Sequence, residues 1–178
     1  MDFITLGHDC QVAAELKRRG IYPQELTNEI GFKHIRGLIM MMESNCERFL
    51  NWDTLEIVGD YDSLDTVVVE DVQTGVFDAH NFPSNAPIEV IFEAFNACRE
   101  PLKPAFMQAL REQEFLQITR TNRNLETIDE IVRLHDAIYT LRDGKKFDLY
   151  VFQDSKFMRK DWGIENLHTF WCQHWKWK

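Results

Sequence analysis

The sequence predicts an α/β domain of three layers, built on a doubly wound, mostly parallel sheet with a hairpin insertion. Three observations predict it. Short apolar runs rich in β-branched and aromatic residues alternate with amphipathic helical stretches along the 178 residues. The chain opens as strand, glycine, tight turn and helix. Two neighbouring β-type runs, 66–70 and 75–77, are close enough to pair as a hairpin. A chain of this length fits one domain spanning residues 1–178, because domains commonly run ~100–200 residues.

Phe3-Ile4-Thr5-Leu6 is an apolar run ended by Gly7 and reads as a buried strand. His8 and Asp9 precede a helical pattern with Val12, Ala13 and Leu16 on one side, Lys17, Arg18 and Arg19 in its last turn, and Gly20 as its stop. Residues 21–31 are an irregular connection, broken by Tyr22-Pro23 and by Asn28 to Gly31. His34 to Phe49 reads as a helix, with Ile35, Leu38, Ile39, Met42, Cys46 and Phe49 at three- and four-residue spacing. Met40 to Met42 are adaptable packing residues. Leu55 to Val58 is a short strand, and the hairpin over 66–77 lacks the strong Asn-Gly or Asp-Gly turn.

Pro87 opens a helix through Glu100, and Pro104 sits near the start of another that reaches about Glu112. Phe115 to Thr119 is a strand, Leu125 to Leu141 a long amphipathic helix closed by Asp143-Gly144, and Phe147 to Phe152 a strand. Leu167 to Trp177 alternates apolar and polar residues, as an edge strand does.

Composition narrows the function. Twenty basic against twenty-nine acidic residues give a formal net charge of −9. That charge argues against non-specific binding to nucleic acid or an anionic membrane, both of which need a positive field. The opening residues lack the pattern of a signal peptide, and no run reaches the ~18 apolar residues of a membrane span, so a cytoplasmic location is expected. The cysteines at 10, 46, 98 and 172 have no CxxC spacing and are expected as free thiols. There is no GxxxxGK[ST] or GxGxxG loop, and no short-spaced ligand pair for zinc. No cofactor and no metal are expected.

The stretch Ile4-Thr5-Leu6-Gly7-His8-Asp9-Cys10-Gln11-Val12-Ala13, followed by Leu16-Lys17-Arg18-Arg19-Gly20, resembles a family described as papain-like cysteine peptidases, found in bacteria and large DNA viruses. Its members open with serine-leucine-glycine, two variable residues and a cysteine, then a short helix ending in basic residues. Phe77-Asp78-Ala79-His80-Asn81-Phe82 is similar to the later histidine-bearing segment of that family. Leu116 to Arg120 is similar to its strand ending in arginine, and Asp161-Trp162-Gly163 to its aspartate-tryptophan-glycine. The family's proline-phenylalanine-aspartate-tryptophan block has no counterpart at Ile30-Gly31-Phe32-Lys33-His34. The resemblance implies a Cys–His hydrolase.

The residues themselves point to the same pair. A thiol at Cys10, in the first turn of a helix, faces unpaired amides and the positive end of the dipole, both of which favour thiolate. The bland alternative is a small thiol packed between sheet and helix. Asp9 reads as the N-cap and competes for the same amides. A nucleophilic cysteine needs a base that is distant in sequence and near in space, and His80 fits, with Asp78, Asn81 or Asp154 to orient it. His8 is the rival base. Gly7, Gln11 and Arg120 are the expected substrate-binding residues, Arg120 by a bidentate grip on a carboxylate or phosphate, with a surface ion pair as its commoner fate. His168 and His174 belong to an aromatic tail expected to serve packing. His34 and His135 read as helix-surface residues. The expected function is a cysteine peptidase, amidase or acyltransferase acting on a peptide or small molecule. The alternative is a non-catalytic binding or protein-interaction domain that keeps the fold.

Overall fold

A computed structural model describes residues 2–7, 16–18, 20, 31–48, 52–61, 65–79, 81–122, 127–153 and 162–171. The architecture is α/β, with two four-stranded sheets among the described residues. The first is wholly parallel, in the order β1 (Asp2–Thr5), β6 (Phe115–Asn122), β7 (Lys146–Gln153), β8 (Leu167–Trp171). The second is antiparallel, in the order β2 (Gly31–Phe32), β5 (Val76–Asp78), β4 (Thr66–Asp71), β3 (Leu55–Tyr61). The expected hairpin is present as β4–β5, and it forms part of the second, antiparallel sheet.

The parallel strands alternate, and the two sets of side chains have opposite characters. Ile4, Leu116, Ile118, Leu149, Val151 and Leu167 form one face, and they are completely or almost completely buried. Three helices supply the other half of that core: α1 (Ile35–Glu43), α3 (Leu102–Glu112) and α4 (Ile128–Leu141). Each helix is amphipathic, so burying its apolar stripe against the sheet is the main favourable term. The opposite face carries Gln117, Thr119, Thr121, Asp148, Tyr150 and His168. A separate small core of Leu55, Val67, Val69, Phe82, Ile91 and Phe95 joins the antiparallel sheet to α2 (Ile88–Arg99).

Several sequence expectations are corrected by local physics. The helix expected to run to Phe49 ends at Glu43. Asn45 takes a left-handed φ of 55° and Cys46 one of 58°. The Cys46 amide donates to Met41 O and the Asn45 amide to Met42 O, the paired bonds of a Schellman cap. Buried Cys46 packs in the core beyond that cap, which is why apolar spacing outruns the helix. The helix expected from Leu125 is described from Ile128, behind a capping box in which Thr127 and Glu130 satisfy each other's amides. His135, expected at the surface, is buried on α4 against Phe147, with Nε2 2.8 Å from Asn166 Oδ1.

Two of the contacts among the described residues that fasten the sheets together involve backbone. Phe32 N donates to Gly7 O at 2.8 Å, which ties β2 to the chain just beyond the end of β1. Gly37 on α1 lies directly against the Thr74 carbonyl in the β4–β5 turn. That turn needs no Asn-Gly, because the buried Asp71 carboxylate accepts from the amides of Gln73 and Thr74 and from the hydroxyls of Thr54 and Thr74. Gly75 then supplies the positive φ of 68°.

Candidate functional site

The carboxyl edge of a parallel sheet is where ligands usually bind, and β1 leads the chain to that edge. Leu6 N donates to Thr119 O at 2.7 Å, and the buried Gly7 accepts from Phe32. Arg120 lies beneath this junction. The expected strand ended at Thr119, but β6 continues to Asn122, so Arg120 sits inside it. Its side chain is 1% exposed, and Nη1 donates to Leu6 O at 2.6 Å and to Phe32 O at 2.8 Å. Arg120 is thus buried rather than at the surface, with two backbone carbonyls among its partners. It is a strut that carries a buried charge onto the carbonyls of two strands, and charge-assisted bonds of this kind are the stronger ones.

On the far side of β2, Phe32 pairs with Val76 and Gly31 with Phe77. Beyond them Asp78 is buried, and its Oδ2 accepts from the exposed Asn81 Nδ2 at 2.8 Å. The two candidate orienting groups thus bond to each other. Thr66 Oγ1 donates to Ala79 O at 2.7 Å and fixes the chain just before it. Cys10, His80, His8, Gln11 and Asp154 lie outside the described residues, as do Asp9 and His174. The chain matches no family model, no curated protein and no solved structure. Among the described residues, no three His, Cys, Asp or Glu side chains are grouped to hold a metal. Among the same residues, no helix is long and apolar enough to cross a membrane.

The polar face of the parallel sheet holds a network that sequence reasoning missed. His168 Nε2 lies 3.0 Å from Asp148 Oδ1. Tyr150 OH donates to Asp148 Oδ2 at 3.4 Å and accepts from Gln117 Nε2 at 3.3 Å. The Tyr150 and His168 rings stack with centroids 4.9 Å apart. Burial pushes the Tyr150 phenol above its ordinary value, and the adjacent Asp148 charge adds to the shift. Gln117 Oε1, Thr119 Oγ1 and Thr121 Oγ1 are buried without a hydrogen-bond partner among the described residues, along one face of one strand. The signal was readable as alternation: Gln117, Thr119 and Thr121 interleave with Leu116, Ile118 and Arg120.

Cys46 is the one cysteine whose side chain is described, and it belongs to neither cluster. It is fully buried, and burial pushes its thiol up to about 12, against the lowering effect of Lys103 and Arg111. A thiol held neutral in this way is inert.

Proposed function

We propose that the protein is a cysteine hydrolase or acyltransferase, in which Cys10 attacks a carbonyl and His80 takes its proton. The observation that carries this reading is the pairing of Gly7 with Phe32 and of Phe32 with Val76. Cys10 follows Gly7 by three residues and His80 follows Val76 by four. An extended chain covers at most ~3.6 Å per residue, so these segments leave the two flanks of β2 with reaches of roughly 11 and 14 Å. Seventy residues of sequence separation therefore do not keep the two segments apart, since both start from the flanks of one short strand. The Arg120 strut supports the reading by fixing Leu6 and Phe32, because a nucleophile needs a rigid mount.

The domain is proposed to be three-layered and doubly wound, with the helix at 16–18 belonging to the layer over the polar face. It acts in the cytoplasm on a peptide or small molecule, without nucleic acid. The reaction is written as addition of the Cys10 thiolate to an acyl carbon. The tetrahedral oxyanion is held by amides around residues 8–11, and the leaving group departs with the proton from His80. Incubation with an alkyl thioester, followed by peptide mass mapping, tests it. The expected result is an acyl group on Cys10 that forms at least tenfold more slowly in His80→Ala. Acylation at no cysteine, or equal labelling of Cys10 and unfolded-protein controls, overturns the proposal.

A further inference from the structure

The Asp148–His168 pair lies outside the Cys10 proposal, and it faces a cleft of about 580 Å³ at the amino end of β7. That volume falls within the range of small-molecule sites, ~300–1,000 Å³. Phe115 and Tyr139 line the cleft with 39% and 56% of their surfaces exposed, and Tyr150 adds a third ring. The hydrogen bonds fix the histidine's chemistry. With one Asp148 oxygen accepting from Tyr150 OH and the other facing Nε2, a neutral His168 ring carries its proton on Nε2. Nδ1 is then the basic nitrogen. It makes no hydrogen bond among the described residues, and the side chain is 39% exposed. A carboxylate that both orients the ring and stabilises the imidazolium is the usual support of a histidine base.

We propose that this cleft is a second site, which binds a small planar aromatic compound with an acidic hydroxyl and takes its proton at His168 Nδ1. The aromatic walls hold the ring by stacking, for which Tyr150 against His168 already provides the platform. In the transfer, the ligand O–H bond breaks and an N–H bond forms at Nδ1. The imidazolium keeps its Nε2–H on Asp148, and the phenolate oxygen rests beside the ammonium groups of Lys145 and Lys146 on the cleft wall. Lys145 Nζ is anchored on Glu112 O at 3.2 Å, whereas exposed Lys146 is available to the anion. The remaining titratable groups facing the site are Glu165, Tyr139 and Tyr150. Glu165 opposes the anion.

The test uses 4-nitrophenol, whose absorbance separates phenol from phenolate, titrated with the full chain carrying Cys10→Ser so that no thiol chemistry intrudes. The expected result is saturable binding with the bound phenol's apparent pKa lowered by about one unit, the scale of one nearby opposite charge. His168→Gln is expected to abolish the shift, and Asp148→Asn to reduce it by freeing the tautomer. Circular dichroism and urea midpoints of both variants confirm that they fold. Two variants keep the test decisive if one of them fails to fold. Absence of saturation at ~10 mM ligand, a dissociation constant too weak for any specific site, overturns the proposal. So does a shift that survives His168→Gln. Neither result bears on the acylation of Cys10.

Discussion

Substituting Gly37 with alanine perturbs the contact between α1 and the β4–β5 turn. A β-carbon there would overlap the Thr74 carbonyl oxygen and stand 2.5 Å from its carbon and 2.9 Å from its Cα. Carbon atoms pack at ~3.5–4.0 Å, so helix or turn must retreat by about 1 Å. The obstacle is backbone, which has no rotamer to change. The turn is held by four bonds to Asp71, so α1 is the element that moves. It carries Ile35, Leu38, Ile39, Met41 and Met42 into the core, and a gap of ~0.5–1 Å forfeits a quarter to a half of each dispersion contact. Overpacking of this kind costs ~1–3 kcal/mol, occasionally more. Against it stands the gain of about 1 kcal/mol for alanine over glycine within a helix. The expected net loss is about 1 kcal/mol, a fall in Tm of roughly 2–4 °C for a chain this size. Urea unfolding measures it, with Gly59→Ala as control, since a β-carbon at Gly59 meets nothing within 4 Å. If Gly37→Ala is as stable as wild type while Gly59→Ala is also neutral, α1 does not rest on Thr74 and the joining of the sheets is wrong.

Three further outcomes are expected. Arg120→Met leaves the Leu6 and Phe32 carbonyls buried and unpaired, at ~1–3 kcal/mol each, so chemical denaturation should show a loss of about 4 kcal/mol; a loss under ~1 kcal/mol contradicts the strut. Thr127→Ala removes one half of the capping box and should cost about 1 kcal/mol, with hydrogen exchange accelerated in the first turn of α4 and not in α3. Cys46 has its thiol raised from 9.0 to about 12, so its contribution to stability is complete below pH ~9 and is lost as pH rises towards 12. Stability measured across that window should fall more steeply in wild type than in Cys46→Ala, and equal slopes would sink the assignment.

How much of this was legible in the sequence depends on where the information lies. Alternation along 115–122 and 147–152 and the amphipathic pattern over 128–141 are local, and they yielded the α/β class and most elements. The end of α1 was hidden because Cys46 keeps apolar spacing while its backbone is left-handed; periodicity reports burial, not dihedral angles. The turn at Asp71 was underrated because its stabilising carboxylate acts on amides two and three residues on, outside the glycine vocabulary of hairpins. The two carbonyls that Arg120 braces were hidden for a different reason: they lie 114 and 88 residues away. No local pattern distinguishes an arginine that braces two strands from one that reaches solvent. The His168–Asp148 pair is non-local in the same sense, 20 residues apart on neighbouring parallel strands.

The most direct test of the central claim is the pH dependence of iodoacetamide alkylation at Cys10, read peptide by peptide in wild type and His80→Ala. Cys46 serves as an internal silent thiol, since it is fully buried. An activated Cys10 should titrate at least one unit below the ordinary thiol value of ~8.5, and that midpoint should move upward when His80 is removed. A midpoint at the ordinary value, unchanged in His80→Ala, would contradict the account.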